Sequence, residues 1–182
     1  MSEIELPETP ETPESHKERT VGLIIATIAV VLAFVTHKGN DIHQDEILAH
    51  IDASDQYAFY QAKKERHAQL DIQLNDLQLR ADTFSPTELA AATRLRDSYT
   101  SESTRLDGEG KAIQAKGDDL MEESRRLARK SSILDIGEIA LQISVVLCSL
   151  TILTEQGLFV RLGMGLALAG VAVAAWAMLA PH

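Results

Sequence analysis

Residues 133–153 read ILDIGEIALQISVVLCSLTIL, an apolar run with two carboxylates and no basic residue. A helix needs about 17 to 25 apolar residues to cross the hydrocarbon core of a bilayer. Residues 20–37 and 158–180 form two further runs of this kind, and the long region between the first two runs is strongly polar. The chain is therefore predicted to be an all-α integral membrane protein with three transmembrane helices and one helical insert.

The insert, residues 38–132, has the pattern of a long antiparallel coiled-coil hairpin. A capping side chain at Asn40 or Asp41 predicts the start of its first helix. Residues 80–85 are expected to form the tip. The packed face of the first helix is predicted from residues at steps of three and four, which are Ile47, Ile51, Ser54, Ala58 and Ala62, and then Leu70, Leu74, Leu77 and Ala81.

The second helix of the hairpin has the clearest start signal in the chain. In Ser85-Pro86-Thr87-Glu88, the serine caps, the proline suits the first helical position and the glutamate can reach back to the cap amide. The residues that follow predict a seam whose small members let two backbones approach closely. Its apolar positions recur every seven residues, at Ala92, Tyr99, Leu106, Ile113, Leu120, Leu127 and Leu134, and its small positions are Ser103, Gly110, Gly117, Ser124 and Ser131.

Charge and composition exclude some classes of partner. The region 38–130 carries 18 acidic and 14 basic residues, so it offers no basic face for nucleic acid. Residues 1–19 combine six glutamates with three prolines and are predicted to be a disordered acidic tail, with a docking peptide for a basic partner as the alternative. The single cysteine, Cys148, excludes an intramolecular disulfide.

The second transmembrane segment carries a candidate functional polar face. Asp135, Glu138 and Gln142 follow each other at steps of three and four, which places them on one side of a helix. Ionisable groups in a membrane helix are costly and mark functional sites by default. Three interpretations stay open. At headgroup depth the carboxylates accept hydrogen bonds near the helix start or pair with Arg129 and Lys130, or they bind a cation or proton, or they form a polar contact between subunits.

The remaining motifs predict packing and no chemistry. Gly163, Ala167 and Gly170 are spaced for close helix contact in the third segment. No catalytic residue, no cofactor and no metal site is predicted, and the chain is not expected to be an enzyme. Four histidines lack the spacing of metal ligands, namely His37, His43, His50 and His67.

Two short stretches carry a family resemblance. They are residues 53–63, Ala-Ser-Asp-Gln-Tyr-Ala-Phe-Tyr-Gln-Ala-Lys, and residues 135–143, Asp-Ile-Gly-Glu-Ile-Ala-Leu-Gln-Ile. Both are similar to segments of an uncharacterised bacterial membrane protein family, domain of unknown function 4337. The resemblance implies the three-helix architecture and a bacterial envelope location, and it implies no activity.

The first stretch supplies the candidate interaction residues, which are Tyr57, Tyr60, Gln61 and Lys63. The aromatic side chains are expected to pack on the returning helix around Leu120 and Leu127. Lipid headgroups or a partner protein are the alternative surfaces for them.

We expect a membrane-anchored structural or interaction protein of the bacterial inner membrane. It contacts the lipid bilayer, and its hairpin forms a homo-oligomer or binds another membrane protein. The alternative is a small oligomeric channel or transport accessory subunit that uses the Asp135 and Glu138 face. The side of the membrane that holds the hairpin stays open, because charge counts over the long insert and over the short segments give opposite answers.

Overall fold

The computed structural model describes residues 13–179, and their side chains from Lys17 onward. Three long helices make up most of this range: α1 Pro13–Leu79, α2 Pro86–Thr154 and α3 Gly157–Leu179. A short 3-10 helix, Ala81–Thr83, lies between α1 and α2, and the described range contains no strand. By length and composition, all three helices are able to cross a membrane. The all-helical prediction is confirmed.

Helix α1 is longer than the sequence pattern predicts. It begins at Pro13 and continues unbroken to Leu79, so the predicted helix start at Asn40 is wrong and residues 13–19 are helical. Proline fits a first helical position because its missing N–H has no helical partner there. A cap at Asn40 has no role inside a helix, where each N–H already bonds one turn back, and Gly39 costs only about 1 kcal/mol. The rest of the predicted tail, residues 1–12, lies outside the described residues.

The chain divides into two compact units. The hairpin unit is Gln44–Arg126, and the three-helix unit combines the residues up to His43 with those from Leu127 onward. Within the hairpin unit α1 and α2 are antiparallel, because contacts move down one helix as they move up the other. Tyr57 contacts Asp118, whereas His67 contacts Ser103.

The tip of the hairpin unit forms as predicted. The Ser85 amide donates to the Glu88 carboxylate at 2.8 Å, and the Glu88 amide donates to the Ser85 hydroxyl at 3.4 Å. Pro86 is the first residue of α2, and Phe84 before it is extended. These reciprocal bonds satisfy amides that the first turn of α2 leaves without helical partners.

The predicted seam of α2 is confirmed in the hairpin unit. Leu106 is 3% exposed, and the small positions Ser103, Gly110, Gly117 and Ser124 are buried. Small side chains on α2 therefore face α1 directly. In the outer part of the hairpin unit α1 meets them with Leu70, which is 2% exposed as predicted.

The predicted inner face of α1 is wrong between residues 47 and 62. Ile47 and Ile51 are 45% and 49% exposed, and the other predicted members, Ser54, Ala58 and Ala62, are exposed as well. Ala49 and Ala53 are buried in their place. The reason lies in α2, whose glycines and serines leave room for long side chains, so a polar and aromatic face of α1 packs there.

In the three-helix unit, α3 packs antiparallel on α2 through small residues. The Ser144 hydroxyl donates to the Gly163 carbonyl at 2.7 Å, and a Cβ on Gly170 would lie 2.9 Å from the Gly137 carbonyl oxygen. The predicted packing face is confirmed, since Gly163, Ala167 and Gly170 are buried together with Ala174 and Ala177. Helix α1 adds Ile28 and Val35 to the same core.

Candidate functional site

Three pairs of polar side chains join α1 to α2 at 3.0 Å or less in the middle of the hairpin unit. We call them the cross-helix contacts: Tyr57 to Asp118 at 2.7 Å, Lys63 to Glu109, and His67 to Ser103 at 3.0 Å. Each needs a donor and an acceptor at matching heights, whereas apolar seams tolerate sliding. The contacts therefore specify the register of the two helices, the best-attested role of polar groups in a helical seam.

Two of the cross-helix contacts each shift the pKa of one side chain, Glu109 or Tyr57. The hydrogen bond from Lys63, assisted by its positive charge, holds the pKa of Glu109 below its ordinary value. The hydrogen bond to Asp118 raises the pKa of Tyr57, because the bond requires the phenolic proton. In both pairs the state that forms the contact is favoured at neutral pH.

His67 contacts two partners that also lie close to each other. Its Nε2 lies 3.0 Å from the Ser103 hydroxyl and its Nδ1 lies 3.1 Å from the Asp71 carboxylate. A carboxylate only accepts, so Nδ1 carries a proton, and the Ser103 hydroxyl lies 3.5 Å from the same carboxylate. The order resembles that of a hydrolytic triad, which the sequence spacing did not reveal because the serine is on the other helix.

The surroundings of Ser103 favour a structural role for this trio. Its hydroxyl is at a buried seam position in the interior of α2. Acyl transfer requires N–H donors aimed at a developing oxyanion. In a helix interior the backbone N–H groups bond to carbonyls one turn earlier. We interpret the trio as one of the contacts that fix the helix register.

The predicted interaction residues lie mostly inside the hairpin unit. The Tyr60 ring is against Gly110 and the Tyr57 ring against Gly117, where an added Cβ would come within 3.2 Å of the ring. Packing of the aromatics on the returning helix is thus confirmed, although the two glycines receive them instead of Leu120 and Leu127. Lys63 bonds to Glu109, and Gln61 is exposed.

The outer side of α1 carries an apolar surface, part of which was predicted from the sequence to be the packed face. We call it the back face, and it consists of Ile47, Leu48, Ile51, Ala58, Phe59 and Ala62, all exposed. Leu48 is 60% exposed and Phe59 is 61% exposed. The centre of the back face points away from α2, because Ile51 and Ala58 lie on the opposite side of α1 from Ala49, Ala53 and Tyr60, while Leu48 and Phe59 are at one edge.

The candidate polar face of α2, formed by Asp135, Glu138 and Gln142, lies far from the first residue of that helix. Gln142 donates from its amide to the Glu138 carboxylate at 2.9 Å, which confirms that they share a side. Asp135 is exposed and Glu138 is half-buried. Contacts with free helix-start amides are excluded for these groups, because α2 begins at Pro86. Within the described part of the chain, no group of three or more His, Cys, Asp or Glu side chains is placed to hold a metal ion.

Comparison with known proteins identifies a family. The sequence model described as Domain of unknown function (DUF4337) matches residues 17–180, which include all of the hairpin unit and all of α3. No curated protein and no solved structure matches the chain.

Proposed function

This chain belongs to the family described as Domain of unknown function (DUF4337), and we propose that it is a membrane-anchored interaction protein that assembles through its hairpin unit. Its location is the inner membrane of a bacterium. The three-helix unit is the anchor and crosses the membrane three times. The hairpin unit, a long antiparallel coiled-coil hairpin, carries the surface that contacts a second copy or another membrane protein.

The distribution of side-chain size in the three-helix unit supports membrane insertion. Helix α3 packs on the core of the unit through glycine and alanine, while α1 and α2 also bury larger apolar side chains such as Val35 and Leu141. Many further large apolar side chains remain on the outside. Val30 is 71% exposed, Leu168 is 70% exposed and Ile136 is 59% exposed. A large exposed apolar surface is unfavourable in water and favourable in contact with lipid acyl chains. Small residues between the helices allow the close backbone packing that stabilises helix association in a membrane.

The single observation that carries the interaction role is the back face of α1. A helix in water normally hides its apolar stripe, and α1 in the hairpin unit exposes one of two isoleucines, a leucine and a phenylalanine. Burying such side chains fully contributes about 1.5–3 kcal/mol each. A partner that covers them gains enough to offset the cost of association.

The mass of the complex tests this proposal. The full chain is extracted in a mild detergent and analysed by light scattering, with mass spectrometry of the same peak. Ile51→Gln with Phe59→Gln keeps helix propensity and removes apolar area from the back face, so the assembly is expected to dissociate. Ile72→Gln is the matched control, because Ile72 is 69% exposed on α1 outside the back face. A double variant with unchanged mass and composition contradicts the proposal.

A second function is favoured by the carboxylates of α2. A channel or transport accessory subunit is a candidate because Asp135 and Glu138 lie within the apolar part of an unbroken helix, where ionisable groups are expensive. Oligomerisation is required, since three helices are too few to enclose a pore. Asp135→Asn with Glu138→Gln is expected to abolish cation or proton flux into liposomes. Wild-type flux equal to that of empty vesicles contradicts this function.

A further inference from the structure

We propose that the end of the three-helix unit near Thr151 binds a single phospholipid with a primary ammonium headgroup. A cavity of about 600 Å³ opens there between the start of α1, the end of α2 and the start of α3. Apolar side chains line much of it, including Ile24 and Val160, and charged groups line the rest. A volume of this size fits a headgroup with the first part of its acyl chains.

The Thr151 hydroxyl is the first sign of a ligand. Thr151 is 9% exposed, it lines the cavity, and its Oγ1 is buried without a hydrogen-bond partner in the described part of the chain. Other helix hydroxyls bond to the carbonyl one turn back, as Thr27 does to Leu23 at 2.9 Å and Thr154 does to Leu150 at 2.8 Å. A buried hydroxyl without this bond destabilises the fold unless it donates to an acceptor outside the helix.

The backbone at Glu155 is the second sign. Its φ is 59°, in the left-handed region that glycine and asparagine adopt most readily. Its amide still donates to the Thr151 carbonyl at 2.9 Å in the helical pattern, and the left-handed backbone then ends α2. Glycine usually fills such a helix cap, whereas here a glutamate fills it and its side chain lines the cavity.

The charges around the cavity select the headgroup. Lys17 supplies one cation, and Glu18 and Glu155 supply two anions. A phosphatidylethanolamine matches this set, because its ammonium donates to the carboxylates while its phosphate meets the lysine. The Thr151 hydroxyl donates to an ester or phosphate oxygen. Phosphatidylcholine has no N–H to donate, and phosphatidylglycerol has no cation.

The apolar lining favours a lipid over a free headgroup. Free phosphoethanolamine carries the same ammonium and phosphate groups and lacks acyl chains, so Ile24 and Val160 give it no binding energy. The inference rests on the proposed membrane location. Partition of the full chain into alkali-washed membranes tests that location separately, and a chain that stays in the wash overturns both proposals.

Native mass spectrometry of the inserted, detergent-extracted full chain tests the lipid site. The chain is exposed to equal amounts of dioleoyl phosphatidylethanolamine, phosphatidylcholine and phosphatidylglycerol. We expect one phosphatidylethanolamine to be retained preferentially, and excess phosphoethanolamine not to displace it. Equal retention of the three lipids, or displacement by phosphoethanolamine, overturns the proposal while leaving membrane insertion intact.

Paired variants identify the residues. Thr151→Val keeps the shape of the side chain and is expected to lower retention about five- to tenfold, the usual effect of one buried hydrogen bond. Thr154→Val removes a hydroxyl that bonds within α2 and is expected to retain the lipid. Glu155→Gln is expected to lose the preference over phosphatidylcholine. Equal retention by the two valine variants, or an unchanged preference in Glu155→Gln, contradicts the assignment.

Discussion

Replacing Gly163 by alanine tests the close packing of α3 on α2. A Cβ at this position would lie 2.6 Å from the Cys148 sulfur, 3.1 Å from the Ser144 carbonyl oxygen and 3.3 Å from the Cys148 amide nitrogen. The cysteine side chain is able to rotate, but the backbone atoms move only with α2. The two helices must therefore separate by a few tenths of an ångström, which stretches the hydrogen bond from Ser144 to Gly163.

The expected cost follows from three terms. Overpacking costs about 1–3 kcal/mol, and weakening the hydrogen bond adds about 1 kcal/mol, whereas the higher helix propensity of alanine returns about 1 kcal/mol. The net destabilisation is about 1–3 kcal/mol. Gly165→Ala is the matched control, because the same change in the same helix meets nothing within 4 Å. It is expected to be neutral or slightly stabilising.

Alkylation of the single cysteine measures this difference. Cys148 is free and buried, so its labelling by a maleimide in mild detergent requires α3 to move away. A destabilisation of about 1–3 kcal/mol raises the opening frequency, and hence the labelling rate, about 5- to 150-fold. Gly165→Ala is expected to label at the wild-type rate. Equal labelling rates and equal thermal midpoints for the two alanine variants refute the close contact.

Three further predictions concern the hairpin unit. Gly108→Ala meets open space and is expected to stabilise the chain by about 1 kcal/mol, seen as a higher thermal midpoint by circular dichroism. The hydrogen bonds with Ser85 lower the pKa of Glu88. The contribution of these bonds to stability is therefore present above the ordinary value of 4.5 and is lost as the pH falls through the lower folded value. Glu88→Gln is expected to reduce the change of the thermal midpoint with pH over this acid range. The raised pKa of Tyr57 gives the opposite sign: the contribution of its bond to Asp118 is present below pH 10.0 and is lost as the pH rises through the higher folded value. Tyr57→Phe is expected to remove this alkaline loss of stability in the same assay.

Sequence patterns predicted α2 well because its seam is apolar and regular. Seven-residue spacing from Ala92 to Leu134 and the capping box at Ser85 are local signals that need no knowledge of the partner helix. The sequence pattern did not predict that α1 continues unbroken through Gly39. A capping pattern is easily found in sequence, but it acts only if the chain before it leaves the helix, and here the preceding apolar helix continues.

The inner face of α1 could not be predicted from apolar spacing alone. In residues 47–63 the true inner face includes Tyr60 and Lys63, and the apolar isoleucines are outside. Long side chains become inner residues only because Gly110 and Gly117 on the opposite helix receive them. That information is split between two segments about 50 residues apart, so a search of one helix for its most apolar stripe selects the back face.

Neighbouring residues in the stretch 53–63 therefore belong to different surfaces of α1. Tyr60 packs inward on Gly110, while Phe59 beside it is 61% exposed on the back face. Successive helix positions differ by about 100° in direction, so one short sequence serves both the fold of the hairpin and its outer contact. Loss of Tyr60 is expected to lower the stability of a single chain, whereas loss of Phe59 is expected to weaken the proposed assembly. Because the two effects are separable, substitutions on the back face test the proposed binding role without disturbing the cross-helix contacts.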